Sequence, residues 1–135
     1  MNLVADTTVL IDLWRYGRTP ARLADFSAKV GEASIVIPWI TEAEFSRGAL
    51  FKGVEAEVLT GFYEGFALMP LDRGVMDAYC RLWGDMARRG KAPDYPDLWI
   101  AACGVAKGLP VLTRNPKHFA NVPGLSIVAY SIQSA

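Results

Sequence analysis

The stretch Asn2-Leu-Val-Ala-Asp-Thr-Thr-Val-Leu-Ile-Asp-Leu-Trp-Arg-Tyr16 changes its hydrophobic spacing partway along. Residues 2 to 6 form an apolar run that ends in an acid, which predicts a short buried strand. From Thr7 to Tyr16 the apolar side chains recur at helical spacing instead. A strand that leads directly into a helix is typical of α/β proteins.

The same alternation continues to the end of the chain. Further predicted strands cover residues 34 to 38, 66 to 70, 108 to 113 and 125 to 130. Predicted helices cover residues 20 to 30, 41 to 51, 53 to 64, 72 to 89 and 97 to 107, with a short helical turn at 116 to 119. Apolar strands between helices indicate a mostly parallel sheet of about four to five strands, with helices on both faces.

Composition restricts the possible functions. The 135 residues, 52% of them hydrophobic, predict one compact domain spanning residues 1 to 135. Basic and acidic residues number 14 each, so any contact with nucleic acid must come from a local patch or a metal. Cys80 and Cys103 fall in predicted helices and outside any C-x-x-C pair, which argues against a zinc site or a disulfide framework.

The first residues enter the predicted strand directly, without the basic region and long apolar segment of a secretory leader. No stretch of the sequence reaches the roughly 18 uncharged apolar residues that a membrane span needs. We therefore expect a cytoplasmic protein without a membrane partner.

Three acids lie beside runs that are apolar enough to be core, namely Asp6, Glu44 and Asp97. A buried carboxylate must be paired, capped or bound to a cation. In parallel sheets, functional residues gather outside the carboxyl ends of the strands, where all three acids are predicted to lie. A carboxylate cluster without His or Cys favours Mg²⁺ or Mn²⁺ over zinc. The sequence therefore predicts a divalent-metal site.

Each acid also has a purely structural interpretation. Asp6 precedes a helix and is a good N-cap residue. The run Thr41-Glu-Ala-Glu44 matches a capping box, in which Glu44 would bond to backbone. Asp97 follows Pro96 and suits the first turn of a helix. The metal-site hypothesis depends on the combined position of the three acids.

Four blocks carry a resemblance to a known family: Val4-Ala-Asp-Thr-Thr-Val-Leu-Ile-Asp12, Ile40-Thr-x-x-Glu-Phe-x-x-Gly48, Asp97-Leu-Trp-Ile-Ala-Ala102 and Val111-Leu-Thr-Arg-Asn-x-x-His-Phe119. In order and spacing they resemble PIN-domain proteins, most closely the VapC-type toxins. The resemblance covers almost the whole chain. It implies a PIN-like three-layer sandwich and a metal-dependent endoribonuclease that a cognate antitoxin holds inactive. A homodimer is expected, as in relatives.

The resemblance also assigns residues. Asp6, Glu44 and Asp97 look like the family's metal-binding carboxylates, and Thr8 resembles the hydroxyl that supports the first of them. Thr113, in the Thr-Arg-Asn block, is expected to support the site as well.

Position 115 departs from the family. Many relatives place a fourth acid in or near this loop, whereas this chain has Asn115, so either one or two ions are expected. Asp94 could compensate as a ligand, or it is a loop acid at a helix start.

The expected chemistry follows from these charges. A metal held by Asp6 and Asp97 would lower the pKa of a bound water and neutralise phosphate oxygens. In-line attack would leave a 5′-phosphate and a 3′-hydroxyl. His118 is interpreted as a surface or loop-packing residue, because metal-hydroxide chemistry needs no imidazole base.

Substrate phosphates need local cations. Arginine forks pair well with phosphate. The candidates are Arg114 and the basic run Arg88, Arg89 and Lys91. The basic run has an alternative role, solvating a helix end and complementing its dipole.

Two other functions stay open from the residues alone. In a small phosphatase, Asp6 would be a nucleophile. The Asp-x-Asp pattern common in such enzymes is absent, because position 8 is Thr. In a non-catalytic α/β binding module, the acids would be caps and Asn115 would mark a degenerate metal site.

Overall fold

The computed structural model describes residues 1–91 and 95–134, in which five parallel strands form one sheet. The strands run in the order β3-β2-β1-β4-β5. Their bounds are β1 Asn2–Ala5, β2 Ser34–Pro38, β3 Ala67–Met69, β4 Val111–Thr113 and β5 Ile127–Ala129. The expected parallel α/β sheet is confirmed.

Helices connect the strands and cover both faces of the sheet. Within the described residues they are α1 Thr7–Tyr16, α2 Ala24–Val30, α3 Trp39–Phe51, α4 Ala56–Tyr63, α5 Arg73–Arg88 and α6 Tyr95–Lys107. Two short 3-10 helices, Pro20–Leu23 and Pro116–Phe119, complete the described elements. No helix in this part of the chain has both the length and the apolar character to cross a membrane.

Alternate residues of β1 face opposite sides of the sheet, as strand geometry requires. Val4 packs into the cluster formed with α5 and α6, whereas Leu3 and Ala5 pack with α1 and α2. Every residue of α6 from Leu98 to Gly104 is buried, which confirms the prediction of a central helix. A Cβ on Gly104 would lie 2.8 Å from Leu125 and 2.9 Å from the Leu109 carbonyl, so this close approach needs glycine.

The register sets the position of the site. Val4 pairs with Val36 and Val111, so the three central strands end at one edge of the sheet. The backbone N–H of Asp6 continues this pairing beyond β1, donating to the Leu112 carbonyl at 3.3 Å. Residues that follow β1, β2 and β4 therefore lie at the same edge.

Several element boundaries differ from the prediction. Helix α6 begins at Tyr95, before Asp97, and α4 begins at Ala56 because Gly53 adopts a positive φ of 90° that breaks the helix. Helix α3 begins at Trp39, two residues before Thr41. That shift changes the interpretation of Glu44.

Candidate active site

Asp6 lies directly after β1, is 3% exposed, and is fixed on both carboxylate oxygens. Thr8 donates its hydroxyl to Oδ1 and Thr113 donates its hydroxyl to Oδ2, each at 2.5 Å. The backbone N–H of Val9 also donates to Oδ1 at 3.4 Å, so Asp6 does cap α1. The helix cap involves Oδ1 alone, so capping does not prevent the carboxylate from also binding a cation.

Burial raises the pKa of Asp6 above its usual value, although the hydrogen bonds from Thr113 and Thr8 oppose that shift. A buried carboxylate is costly to ionise without a nearby cation. The hydroxyl donors favour the charged form, which is the form that a metal ion needs.

Glu44 lies in the second turn of α3, partly buried, at the same edge of the sheet. Its Oε1 accepts a hydrogen bond from the Thr7 hydroxyl at 2.7 Å, which places it beside the start of α1. The capping-box interpretation of Glu44 is wrong, because the helix begins before Thr41. The buried Thr41 hydroxyl instead donates to the Ala5 carbonyl at 2.9 Å and ties α3 to the end of β1.

Asp97 lies in the first turn of α6, with its side chain 21% exposed. The Nδ1 atom of His118 lies 3.3 Å from Asp97 Oδ2. The interpretation of His118 as a surface residue is correct, since its side chain is 55% exposed, but the ring also contacts a predicted site carboxylate. No pattern in the sequence indicated this contact.

Asn115 follows β4 and is partly buried, and its backbone N–H donates to the Thr113 hydroxyl at 2.9 Å. That hydroxyl donates to Asp6, so Thr113 connects the loop to the carboxylate. Asp94 lies outside the described residues.

The chemistry of these donors suits Mg²⁺ or Mn²⁺, because carboxylate and hydroxyl oxygens are the ligands that hard cations prefer. Within residues 1–91 and 95–134, however, no three His, Cys, Asp or Glu side chains form a group that could hold a metal ion. Asp6, Glu44 and Asp97 share one edge of the sheet, where hydroxyl or ring groups contact each of them. Binding a common ion would require the three carboxylates to draw together.

Asp12 is a second buried acid, and no role for it was predicted from the sequence. It is 1% exposed, and its Oδ2 accepts hydrogen bonds from Arg114 Nε at 2.8 Å and from the Tyr130 hydroxyl at 2.7 Å. The ion pair raises the pKa of Arg114. An acid inside the apolar spacing of α1 was the available signal, since such a residue needs a partner.

The basic run at the end of α5 is exposed. Arg89, directly after α5, pairs with Asp85 of that helix at 2.9 Å, which agrees with the helix-end alternative for that residue. Arg88 lies in the last turn of α5, and Lys91 follows the helix.

The sequence matches a known domain family. The family profile described as PIN domain matches residues 3–125. Ribonuclease VapC1 of Methanocaldococcus jannaschii is 30% identical over 129 residues, which is 96% of this chain and 87% of that protein. VapC ribonuclease Y4jK of Sinorhizobium fredii is 30% identical over 135 residues, covering 93% of this chain and 95% of that protein.

Solved structures share the fold. A chain of the Rickettsia felis VapBC2 structure, bound to a promoter DNA fragment, superposes with a TM-score of 0.81 at 18% identity, covering 97% of this chain and all (100%) of that one. A chain of VapBC-1 from nontypeable Haemophilus influenzae gives a TM-score of 0.78 at 22% identity, covering 96% and 98%. With the PIN match and the two VapC relatives, these results show that the chain belongs to the PIN-domain family, among its VapC-type members.

Proposed function

We propose that this protein is a Mg²⁺- or Mn²⁺-dependent endoribonuclease that acts in the cytoplasm as the toxin of a type II toxin-antitoxin pair. The observation that carries the proposal is Asp6, a buried carboxylate fixed by two hydroxyls at the carboxyl edge of a PIN-type sheet. Both curated relatives are named as ribonucleases, which favours RNA as the substrate and sets the phosphatase alternative aside.

Asp6, Glu44 and Asp97 would hold one or two ions. A bound ion would lower the pKa of a water molecule and neutralise charge on the phosphate. The hydroxyls of Thr8 and Thr113 donate to Asp6 and oppose the rise in its pKa that burial causes, and Thr7 orients Glu44. Hydrolysis by the activated water would leave a 5′-phosphate and a 3′-hydroxyl.

The test is RNA cleavage by Asp6→Asn, Glu44→Gln and Asp97→Asn. Each substitution removes one negative charge from the side chains that would bind the shared ion. All three variants are expected to fold and to lose Mn²⁺-dependent cleavage. The matched control is Glu42→Gln, which neutralises another acid of α3 two residues away and should keep full activity. Full activity in Asp97→Asn, with metal still required, would refute the ligand assignment.

Asn115 decides how many ions the site holds. If its side chain faces the ions, Asn115→Asp should tighten Mn²⁺ binding, because it restores the negative charge that many relatives carry. An unchanged affinity would place Asn115 outside the metal site.

An antitoxin is the proposed partner, by analogy with the VapBC structures of similar fold. A mainly apolar cavity of about 210 Å³ lies between α1 and α3, beside Glu44, and suits an apolar side chain of such a protein. Trp14, 42% exposed, lines it. Coexpression with the product of the adjacent reading frame should make the Trp14 side chain less accessible to solvent and should abolish RNA cleavage.

A homodimer is proposed through the exposed aromatic side chains of α5 and α6. Trp83 is 53% exposed and Tyr95 is 61% exposed. Light scattering should give twice the chain mass, and Trp83→Ser should shift the mass toward the monomer.

One observation favours a second candidate, a non-catalytic binding module with a degenerate metal site. The described residues contain no preformed group of three His, Cys, Asp or Glu ligands, and the chain has Asn115 in the loop where the family resemblance leads one to expect an acid. Calorimetry with Mn²⁺ separates the two functions, because a degenerate site would show no binding that depends on Asp6 or Asp97.

A further inference from the structure

A polar cavity of about 400 Å³ is lined by Arg114, and Asp6 is not among its described lining residues. The end of α1, the 3-10 helix Pro20–Leu23 and the segment after β5 form its walls. Three arginines line it, Arg15, Arg22 and Arg114, and among its described lining residues Asp12 is the one acid. The cavity therefore carries excess positive charge in a protein whose overall charge is balanced.

Two of these guanidinium groups are held in the same way. Arg114 donates Nε to the buried Asp12, and Arg22 donates Nε to the Gln133 carbonyl at 2.5 Å. In each case the bond recorded among the described residues uses Nε, so the Nη nitrogens keep donors for a ligand.

The ring of Tyr16 supports two of the cations. The guanidinium carbon of Arg22 lies 4.7 Å from the ring centroid, and that of Arg15 lies 5.9 Å from it. Such cation-π contacts orient a guanidinium without neutralising its charge. The cavity lining therefore brings three positive charges together, and within its described part only the one negative charge of Asp12 offsets them.

Phosphate is the ligand that this arrangement fits. A planar guanidinium group can donate two parallel hydrogen bonds to two oxygens of one phosphate. Such charge-assisted hydrogen bonds are stronger than those between neutral groups. The cavity volume is at the lower end of the range for small-ligand sites, roughly 300 to 1,000 Å³, which leaves space for a nucleotide unit and not only a free anion.

The cavity is connected to the candidate active site through Arg114 itself. The backbone N–H of Arg114 donates to the Thr8 hydroxyl at 3.2 Å, and that hydroxyl donates to Asp6. Because Arg114 lines the cavity and is two hydrogen bonds from Asp6, a strand cleaved at Asp6 would present a neighbouring phosphate to Arg114.

We propose that Arg15, Arg22 and Arg114 form a binding subsite for a phosphodiester of the substrate RNA next to the one that is cleaved. The inference rests on the proposed ribonuclease function. It adds Arg15 and Arg22 as substrate-binding residues, which no sequence motif indicated.

The test is the affinity of the full-length protein for a labelled single-stranded RNA in EDTA, measured by fluorescence anisotropy over a salt series. Each phosphate contact to a single strand contributes about 0.7 to the slope of log affinity against log salt. The Arg15→Gln/Arg22→Gln variant should bind roughly tenfold more weakly at low salt and lose about 0.7 from that slope. Arg81→Gln, an exposed arginine on α5, is the charge-matched control and should change neither.

Arg15→Gln alone keeps the test valid if loss of the Arg22 anchor disturbs folding, because Arg15 is exposed. A single neutral methylphosphonate moved along the RNA should weaken wild-type binding at one position beside the mapped cleavage site. At that position the double variant should lose less affinity than the wild type, because only Arg114 of the three arginines remains to contact that phosphate.

An unchanged affinity and slope in both arginine variants would overturn the subsite. The subsite would also be overturned if these arginines were needed for saturable binding of inorganic phosphate but not for binding of RNA. Neither result requires cleavage, so failure of the subsite is distinct from a wild-type protein that cuts no RNA in Mn²⁺.

Discussion

His118, the single histidine of the chain, places Nδ1 3.3 Å from Oδ2 of Asp97. The ring comes from the 3-10 helix after β4, and the carboxylate comes from the first turn of α6. The contact therefore joins the segment after β4 to the start of α6 at the carboxyl edge of the sheet. It makes His118 a candidate positioning residue for Asp97.

We expect His118→Ala to lower the rate of RNA cleavage by about fivefold, since a partly exposed pair contributes up to about 1 kcal/mol. His118→Gln can still donate to Asp97 and should recover much of the rate. The measurements are kcat and the Mn²⁺ dissociation constant. If the alanine and glutamine variants both match the wild type, the contact has no part in positioning Asp97.

Thr113→Val removes the buried hydroxyl that donates to Asp6 and keeps the side-chain shape. Groups that hold a metal ligand in place typically contribute about 10- to 100-fold in metal affinity. The valine variant should therefore bind Mn²⁺ at least about tenfold more weakly by calorimetry, with its fold intact by circular dichroism. Thr60→Val removes an exposed hydroxyl bonded within α4 and serves as the control. Equal affinity in the two variants would contradict the role given to Thr113.

Asp12→Asn tests the buried network that anchors Arg114. We expect a loss of roughly 1 to 3 kcal/mol in unfolding free energy from urea titration, because the guanidinium loses its charged partner. Tyr130→Phe removes only the hydroxyl that donates to Asp12 and should cost about 1 kcal/mol. An asparagine variant as stable as the wild type would show that the pair contributes nothing to the fold.

The two cysteines should differ in reactivity. Burial raises the pKa of the Cys103 thiol to about 12, so it stays protonated and unreactive at mildly alkaline pH. Cys80 is exposed. Iodoacetamide should modify only Cys80 in the native protein and both thiols after unfolding in urea. Rapid native labelling of Cys103 would contradict the central packing of α6.

Much of the fold follows from local patterns in the sequence. The apolar run before Asp6 and the helical spacing after it predict β1 and α1, and the continuous apolar character of residues 98 to 104 predicts a central helix. The start of α3 could not be predicted in the same way. Thr41 resembles a cap in sequence, but its hydroxyl bonds to Ala5, a partner supplied by the sheet register.

Part of the candidate site could also be predicted from local sequence, and part depends on long-range packing. Asp6, Glu44 and Asp97 could be selected because acids beside apolar runs need a reason to be there. Asp12 carried the same kind of signal, but its partner could not be predicted, since Asp12 and Arg114 lie 102 positions apart and meet when β4 pairs with β1. The contact between His118 and Asp97 depends on the packing of the 3-10 helix Pro116–Phe119 against α6, which no local pattern predicts.

Asp6, Glu44 and Asp97 are proposed to share one divalent cation. The direct measurement is Mn²⁺ titration of the wild type, Asp6→Asn, Glu44→Gln and Asp97→Asn by calorimetry, with Glu42→Gln as the control. We predict binding in the wild type and in the control, and at least about a tenfold loss of affinity in each of the other three folded variants. Mn²⁺ affinity that is absent from the wild type, or unchanged in all three variants, would contradict the account.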